Sequence, residues 1–251
     1  MSSKGLSIMK RLRVAYLPLA ICLLTALACR AQPTITVTYS ERPPYMVPVE
    51  NGPPTGLTAT PSVNAFRTAG IPVVWAKLPT NRQLAMVKED LGQNCAVGWF
   101  WLEERTRFAK FTKPIYRDKD WHILANAAFA ARGFTTLAAM LKRSDTRILV
   151  KDNYSYGEQL DRLMASHHPT VATSTAPTSK MVQSISMGVV DLMFVSEDEG
   201  NYIMRHAGEH AANLRLLHPR DMPKGPERHI MCSRSVPDEV IARLNKAISY
   251  K

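Results

Sequence analysis

The stretch IPVVWAKLPTNRQLAMVKEDLGQNCAVGWF, residues 71–100, reads as strand, helix, strand. IPVVWAKL (71–78) is rich in β-branched and aromatic residues and stops at Pro79. Thr80 with Gln83 three residues on has the spacing of a capping box, and Leu84, Val87 and Leu91 follow at helical intervals. CAVGWF (95–100) then returns to a strand. Upstream, TITVTY (34–39) is a further strand, joined to 71–78 by a helix ending near Gly70. Strands alternating with helices imply a parallel sheet covered on both faces.

The rhythm restarts after the charged run RDKD (117–120). WHILANA (121–127), RILVK (147–151), DLMFV (191–195) and LRLL (214–217) read as strands. Helices are expected near Leu137–Lys142, from about Tyr156 to Ser166, and from about Ser179 to Met187. HIMCS (229–233) is one more strand, and Pro237 opens a closing helix whose Val240, Ile241, Leu244 and Ile248 share a face. Two units joined by short segments near 117–120 and 218–228 would form a hinge. The expected fold class is α/β, two lobes each with a mainly parallel sheet flanked by helices.

The chain has 251 residues, 45% hydrophobic and 21% charged, which is ordinary globular material. Lys4, Lys10, Arg11 and Arg13 precede the apolar run Val14–Ala28, the pattern of a secretory signal peptide, with cleavage expected near Ala31. The run is shorter than the roughly 20 residues a membrane span needs. Lipidation at Cys29 is the alternative. Removing residues 1–31, which carry five basic and no acidic residues, lowers the formal net charge from +11 to +6. No basic block with interleaved aromatics is present, so nucleic acid is discounted as a partner. Cys95 and Cys232 remain as an even pair in an oxidising compartment, either bridged or as two buried thiols.

Several stretches together resemble the type II periplasmic binding proteins, specifically the extracellular solute-binding proteins of family 3. They are ITVTYSERPPYM (35–46), AVGWFWLEERTRFAKFTKPIYRD (96–118), KDNYSYGEQL (151–160), SISMGVVDLMFVSEDEG (184–200) and SVPDEVIARLNKAI (235–248). The resemblance implies lobes of residues 32–118 plus 225–251 and 119–224. It also implies a monomer that holds a small polar, carboxylate-bearing solute in the inter-lobe cleft without any cofactor. The closed form would be read by an ABC-type permease or a membrane receptor.

Ligands of open α/β sheets bind beyond the carboxyl ends of the strands, which directs attention to the loops after Tyr39, Phe100, Lys151 and Val195. By the resemblance, Arg105 clamps the ligand carboxylate, a task suited to a planar guanidinium making two parallel hydrogen bonds. Tyr45 resembles the family's aromatic wall, and Arg42 beside it could face the cleft. Strand alternation sends Trp99 and Trp101 to one side and Phe100 to the other. Where family members have small hydroxyl residues, this chain has Gly98, Trp99 and Phe100, which argues against a simple α-amino acid. Tyr154 and Ser155 lie at a strand-to-helix turn with free amides; Ser155 is the expected donor, or else only a helix cap. Ser196 and Glu197 stand where the family holds a ligand ammonium.

Two enzyme readings compete. The resemblance extends to periplasmic dehydratases acting on prephenate-like carboxylates, which here would need Arg105 with Glu197 as general acid. His206-Ala-Gly-Glu209-His210 matches the spacing of an H-x-x-E-H zinc site, but Gly208 disfavours a helix there and no third ligand is evident.

Overall fold

The computed structural model describes residues 34–250; the expected signal segment, with Cys22 and Cys29, lies outside them. Thirteen strands are described: β1 (Ile35–Tyr39), β2 (Val47–Val49), β3 (Gly52–Thr55), β4 (Val73–Lys77), β5 (Asn94–Phe100), β6 (Ala109–Phe111), β7 (Tyr116–Arg117), β8 (Trp121–Asn126), β9 (Arg147–Lys151), β10 (Thr170–Ser174), β11 (Leu192–Ser196), β12 (Leu214–Leu217) and β13 (Glu227–Ser233). The helices are α1 (Ala59–Thr68), α2 (Thr80–Glu89), α3 (Glu103–Thr106), α4 (Ala127–Ala130), α5 (Leu137–Leu141), α6 (Glu158–His167), α7 (Thr178–Ser186), α8 (Glu197–His206) and α9 (Asp238–Ala247), with a 3-10 turn at Gly208–Asn213. None is long and apolar enough to cross a membrane.

Two main sheets form the two lobes. The first runs β4-β1-β5-β13-β6, with β7 also on β13; the second runs β10-β9-β11-β8-β12. In each, three neighbouring strands pair in parallel and a single strand, β13 in the first and β8 in the second, runs against all the others, the mainly parallel pattern expected of a doubly wound lobe. The chain passes between the sheets twice, through residues 118–120 and 218–226.

The first lobe's core gathers Ile35, Val37 and Tyr39 of β1 with Phe66 of α1, and α9 closes it with Leu244 and the following Ile248. Each such large side chain, taken wholly out of water, contributes about 1.5–3 kcal/mol. A disulfide joins Cys95 on β5 to Cys232 directly opposite on β13, which resolves the choice between bridge and free thiols.

Local details depart from expectation. Pro79, not Thr80, caps α2, and the Gln83 amide donates to the Leu78 carbonyl, so no capping box forms. The helix stops at Asp90 in left-handed conformation, leaving Leu91 outside it and 83% exposed. α6 begins at Glu158, two residues later than expected, and β10 and the β2–β3 hairpin were not anticipated.

β5 carries a bulge: His229 pairs Trp99 and Ile230 pairs Val97, so Gly98 is the extra residue, at φ +80°. A side chain in that conformation is strained, which glycine avoids. The bulge shifts the side-chain alternation by one, so Trp99 joins Ala96 beneath α2. Phe100 turns to the opposite side, as expected, and packs edge-on against Trp121 of the second lobe, while Trp101 lies past the end of β5 and is 52% exposed.

Candidate functional site

The loops after β1, β5 and β9 converge between the lobes around a small cavity of about 40 Å³. Arg42, Trp99, Phe100 and Arg105 line it from the first lobe, and Asn153, Tyr154 and Ser155 from the second. Arg105 sits on the single turn α3, begun by the Leu102 carbonyl accepting the Arg105 amide. Its guanidinium lies 4.9 Å above the Trp99 ring and donates to the Phe100 carbonyl at 3.2 Å. The residue is only 6% exposed, and no described carboxylate comes within ion-pair distance of it. Burial lowers its pKa, offset only partly by Glu104 and by Asp161 across the cleft. A desolvated cation without a counter-ion is an anion receptor.

On the opposite wall the Ser155 hydroxyl donates to Asp161 at 2.5 Å and accepts the Gly157 amide at 3.0 Å. Asp161 also accepts the Tyr156 amide at 2.8 Å, which fixes the turn ahead of α6. Burial pushes the Asp161 carboxyl upward, and its two hydrogen bonds pull back against that. The Ser155 side chain therefore serves the turn rather than standing free for a solute. Among the described hydrogen bonds, the amides of Asn153 and Ser155 have no protein acceptor, and these are the donors that remain.

Arg42 makes the principal contact between the lobes. Its Nε and Nη2 each donate to Glu199 at 2.7 Å in a two-pronged pair, with the guanidinium 5.2 Å from the Tyr154 ring and 5.5 Å from that of Tyr45. Burial lowers the Arg42 pKa, but the Glu199 charge and hydrogen bonds outweigh it and the net shift is upward. Four further bonds cross the cleft: the Tyr45 hydroxyl with Ser196, Thr80 with Tyr154 at 3.0 Å, Asn81 to Asp152 at 2.7 Å, and Tyr116 to Asp198 at 2.5 Å.

Three expected site residues are placed differently. Tyr45 is wholly buried in the first lobe's core and is not a wall of the cavity; burial drives its hydroxyl pKa up. Ser196 caps α8 through the Glu199 amide and lies outside the cavity lining. Glu197 pairs with Lys119 at 3.6 Å, is 39% exposed and lines no described cavity, so it is not posed as a general acid beside Arg105. Glu199, one turn along α8, brings the carboxylate to the cleft. Sequence reasoning missed it, although Ser196-Glu197-Asp198-Glu199 has the S-x-x-E spacing of a helix start.

A second missed pair ties the two crossovers. Arg228 on β13 makes two 2.6 Å bonds to Asp118, and its Nη1 donates to the Gly98 carbonyl at 2.9 Å. The guanidinium lies 4.2 Å from the Tyr45 ring and 4.5 Å from that of Phe100. Gly225 lies so close to the Asp118 and Lys119 carbonyls that a Cβ would overlap both. The H-x-x-E-H residues are divided: His206 ends α8 with Nδ1 against the Tyr202 carbonyl, whereas His210 lies on the 3-10 turn against Ser186. No group of three metal-ligating side chains is found among the described residues.

No family model matches the sequence, and no curated protein sequence does. Solved structures match over most of the chain. An ancestral arginine-binding protein bound to arginine is 14% identical, with 86% of this chain and 91% of that one covered at a TM-score of 0.67. A periplasmic binding protein of an arginine transport system from Legionella pneumophila is 15% identical, covering 86% and 92% at a TM-score of 0.68. A histidine kinase sensor domain with similarity to periplasmic binding proteins is 20% identical, covering 86% and 89% at 0.66. These likenesses, with the two sheets and double crossover, show that the described chain has the two-lobed α/β fold of the type II periplasmic binding proteins.

Proposed function

We propose that the chain is an exported solute-binding protein, with lobes of residues 32–118 plus 225–251 and 119–224. It captures a small polar, carboxylate-bearing solute, an amino acid or related compound, and presents its closed form to an ABC-type permease. One observation carries this reading: Arg105 is buried without a carboxylate partner, in the same inter-lobe cavity as the unbonded amides of Asn153 and Ser155. A carboxylate there would take two parallel bonds from the guanidinium and further donation from the second lobe, and so would favour closure. The cavity of about 40 Å³ is smaller than an amino acid, so the solute enters an open form and the Arg42–Glu199 pair yields to it. The similar structures include proteins described as bound to arginine and to glutamine, which supports the class of solute.

Thermal-shift screening of amino acids, small peptides and organic acids, followed by calorimetry of the hits, tests the proposal. Arg105→Ala should abolish the hit; undiminished affinity would remove the clamp and the reading with it. A second reading, an extracytoplasmic sensor module, is favoured by the cleft being held shut by the protein's own side chains and by the likeness to a kinase sensor domain.

A further inference from the structure

β10 forms one edge of the second sheet and pairs in parallel with β9 over all five of its residues, without a register shift. The Asp152 amide donates to the Ser174 carbonyl at 3.0 Å, so Ser174 turns its backbone groups towards β9. Backbone groups alternate in direction along a strand, which assigns those of Ala172 and Thr170 to β9 as well. The N–H and C=O groups of Val171 and Thr173 therefore point outward, and no described hydrogen bond outside the ladders uses them.

Such an edge is a template for another strand, and folded proteins blunt it with charge, proline, a bulge or a cover. Every other edge strand of the two main sheets carries a basic residue: Lys77 on β4, Lys110 on β6, Arg117 on β7 and Arg215 on β12. TVATS carries none, and no Asp, Glu, Lys or Arg occurs anywhere in 168–179, in a chain that is 21% charged. Val171 is 44% exposed, and Thr173 is exposed with it.

We infer that this edge is an interaction surface whose partner is the same strand of a second copy, run antiparallel about a two-fold axis at Ala172. The free groups set the register. Val171 and Thr173 of one copy face Thr173 and Val171 of the other, and each such pair exchanges two backbone hydrogen bonds. Between them Ala172 meets its own counterpart as a non-hydrogen-bonded pair, the closest approach in such a ladder at about 4.5 Å between Cα atoms, and its methyl group permits that approach. TVATS suits self-pairing because it is nearly symmetric in shape. Thr170 opposes Ser174, both hydroxyl residues, and Val171 opposes Thr173, both β-branched, a pairing that stabilises sheets. Donors face acceptors, no like charges are set against each other, and Pro169, which has no N–H, limits the pairing at one end. The two five-stranded sheets then run on as one. The paired strands point in opposite directions, so the two clefts lie at opposite ends and each copy opens and closes alone. A strand pair this short buries little surface, which makes the dimer weak and reversible; the monomer implied by the family resemblance is its dilute state. The inference does not rest on the solute-binding reading.

Sedimentation velocity over a rising concentration series tests it, with a reversible monomer–dimer equilibrium as the expected result. Thr173→Pro removes an outward N–H without costing the monomer a ladder bond, and Thr173→Lys places a charge on the edge. Each should weaken association about tenfold or more, while solute affinity stays as it is. Under mild oxidation Ala172→Cys should cross-link to its counterpart faster than Val171→Cys, because only position 172 faces itself within disulfide reach. A monomer at every concentration, a dimer that both Thr173 variants leave unchanged, or cross-linking no faster at 172 than at 171 overturns the inference. None of these results touches the function proposed above, which Arg105→Ala tests separately.

Discussion

Replacing Glu199 by glutamine keeps the shape of the side chain and removes its charge, leaving Arg42 in the closed cleft without a counter-ion. Glu199 is 2% and Arg42 12% exposed, so the pair is screened little by solvent. Removing one member of such a buried pair costs about 3–5 kcal/mol. Arg42 belongs to the first lobe and Glu199 to the second, so parting the lobes returns the orphaned guanidinium to water. The penalty therefore falls on closed against open rather than on folded against unfolded. At the lower figure of about 3 kcal/mol, suited to a pair with some residual exposure, the closed-to-open ratio falls by about 150-fold. Small-angle scattering without solute reads this directly. The unsubstituted protein should follow the curve calculated for the closed structure, and Glu199→Gln should show a larger radius of gyration, with little change in the denaturant midpoint. A Glu199→Gln curve superimposing on that of the unsubstituted protein would refute the claim that this pair holds the cleft shut.

Three further outcomes are expected. Replacing Cys95 and Cys232 together by alanine removes a cross-link spanning 137 residues, worth about 5 kcal/mol on chain-entropy grounds, and a loss under 1 kcal/mol in denaturant unfolding would contradict that. His229, buried with Nδ1 donating to the Thr112 carbonyl at 2.8 Å, has its pKa lowered by burial. Between that depressed value and about 6.5 the unfolded chain binds more protons than the folded one, so the melting temperature should fall as pH drops below about 6.5. His229→Gln should flatten this slope, and an unchanged slope would exclude the residue as its source. Gly225→Ala forces a methyl group against the Asp118 and Lys119 carbonyls and should destabilise the protein by about 1–3 kcal/mol, visible as a lowered melting temperature.

The sequence announces an element wherever its burial pattern is strong. β1, β5 and β11 are almost wholly buried, and their apolar runs stand out. β10, Thr170–Ser174, is an edge strand with no buried residue, so TVATS carries no hydrophobic signal. Trp99 and Phe100 lie on opposite sides as alternation predicts, but Trp101 falls beyond the end of β5 and is exposed, and the Gly98 bulge, which no local spacing reveals, is what turns Trp99 to the side of Ala96. At the site, Arg105 is picked out by the family resemblance of 96–118 and the turn at 153–155 by its place between a strand and a helix, and both line the cavity. Arg42–Glu199 joins residues 157 apart and Asp118–Arg228 joins residues 110 apart. Such pairings leave no trace in local spacing, and the acidic run 197–199 gives no hint which carboxylate turns inward.

The place of β13 bears on the order in which the molecule can be assembled. It is an inner strand, lying between β5 and β6, yet its residues 227–233 follow those of every other described strand in the chain. Every strand of the second sheet lies within 121–217, so that half has all its strands before the half begun earlier receives its inner one. Until β13 emerges, β5 offers an unpaired edge and Cys95 a free thiol. Oxidation to Cys232 then closes a covalent ring around the whole later-begun half, so the strand that arrives after all the others acts as the keystone of the first sheet.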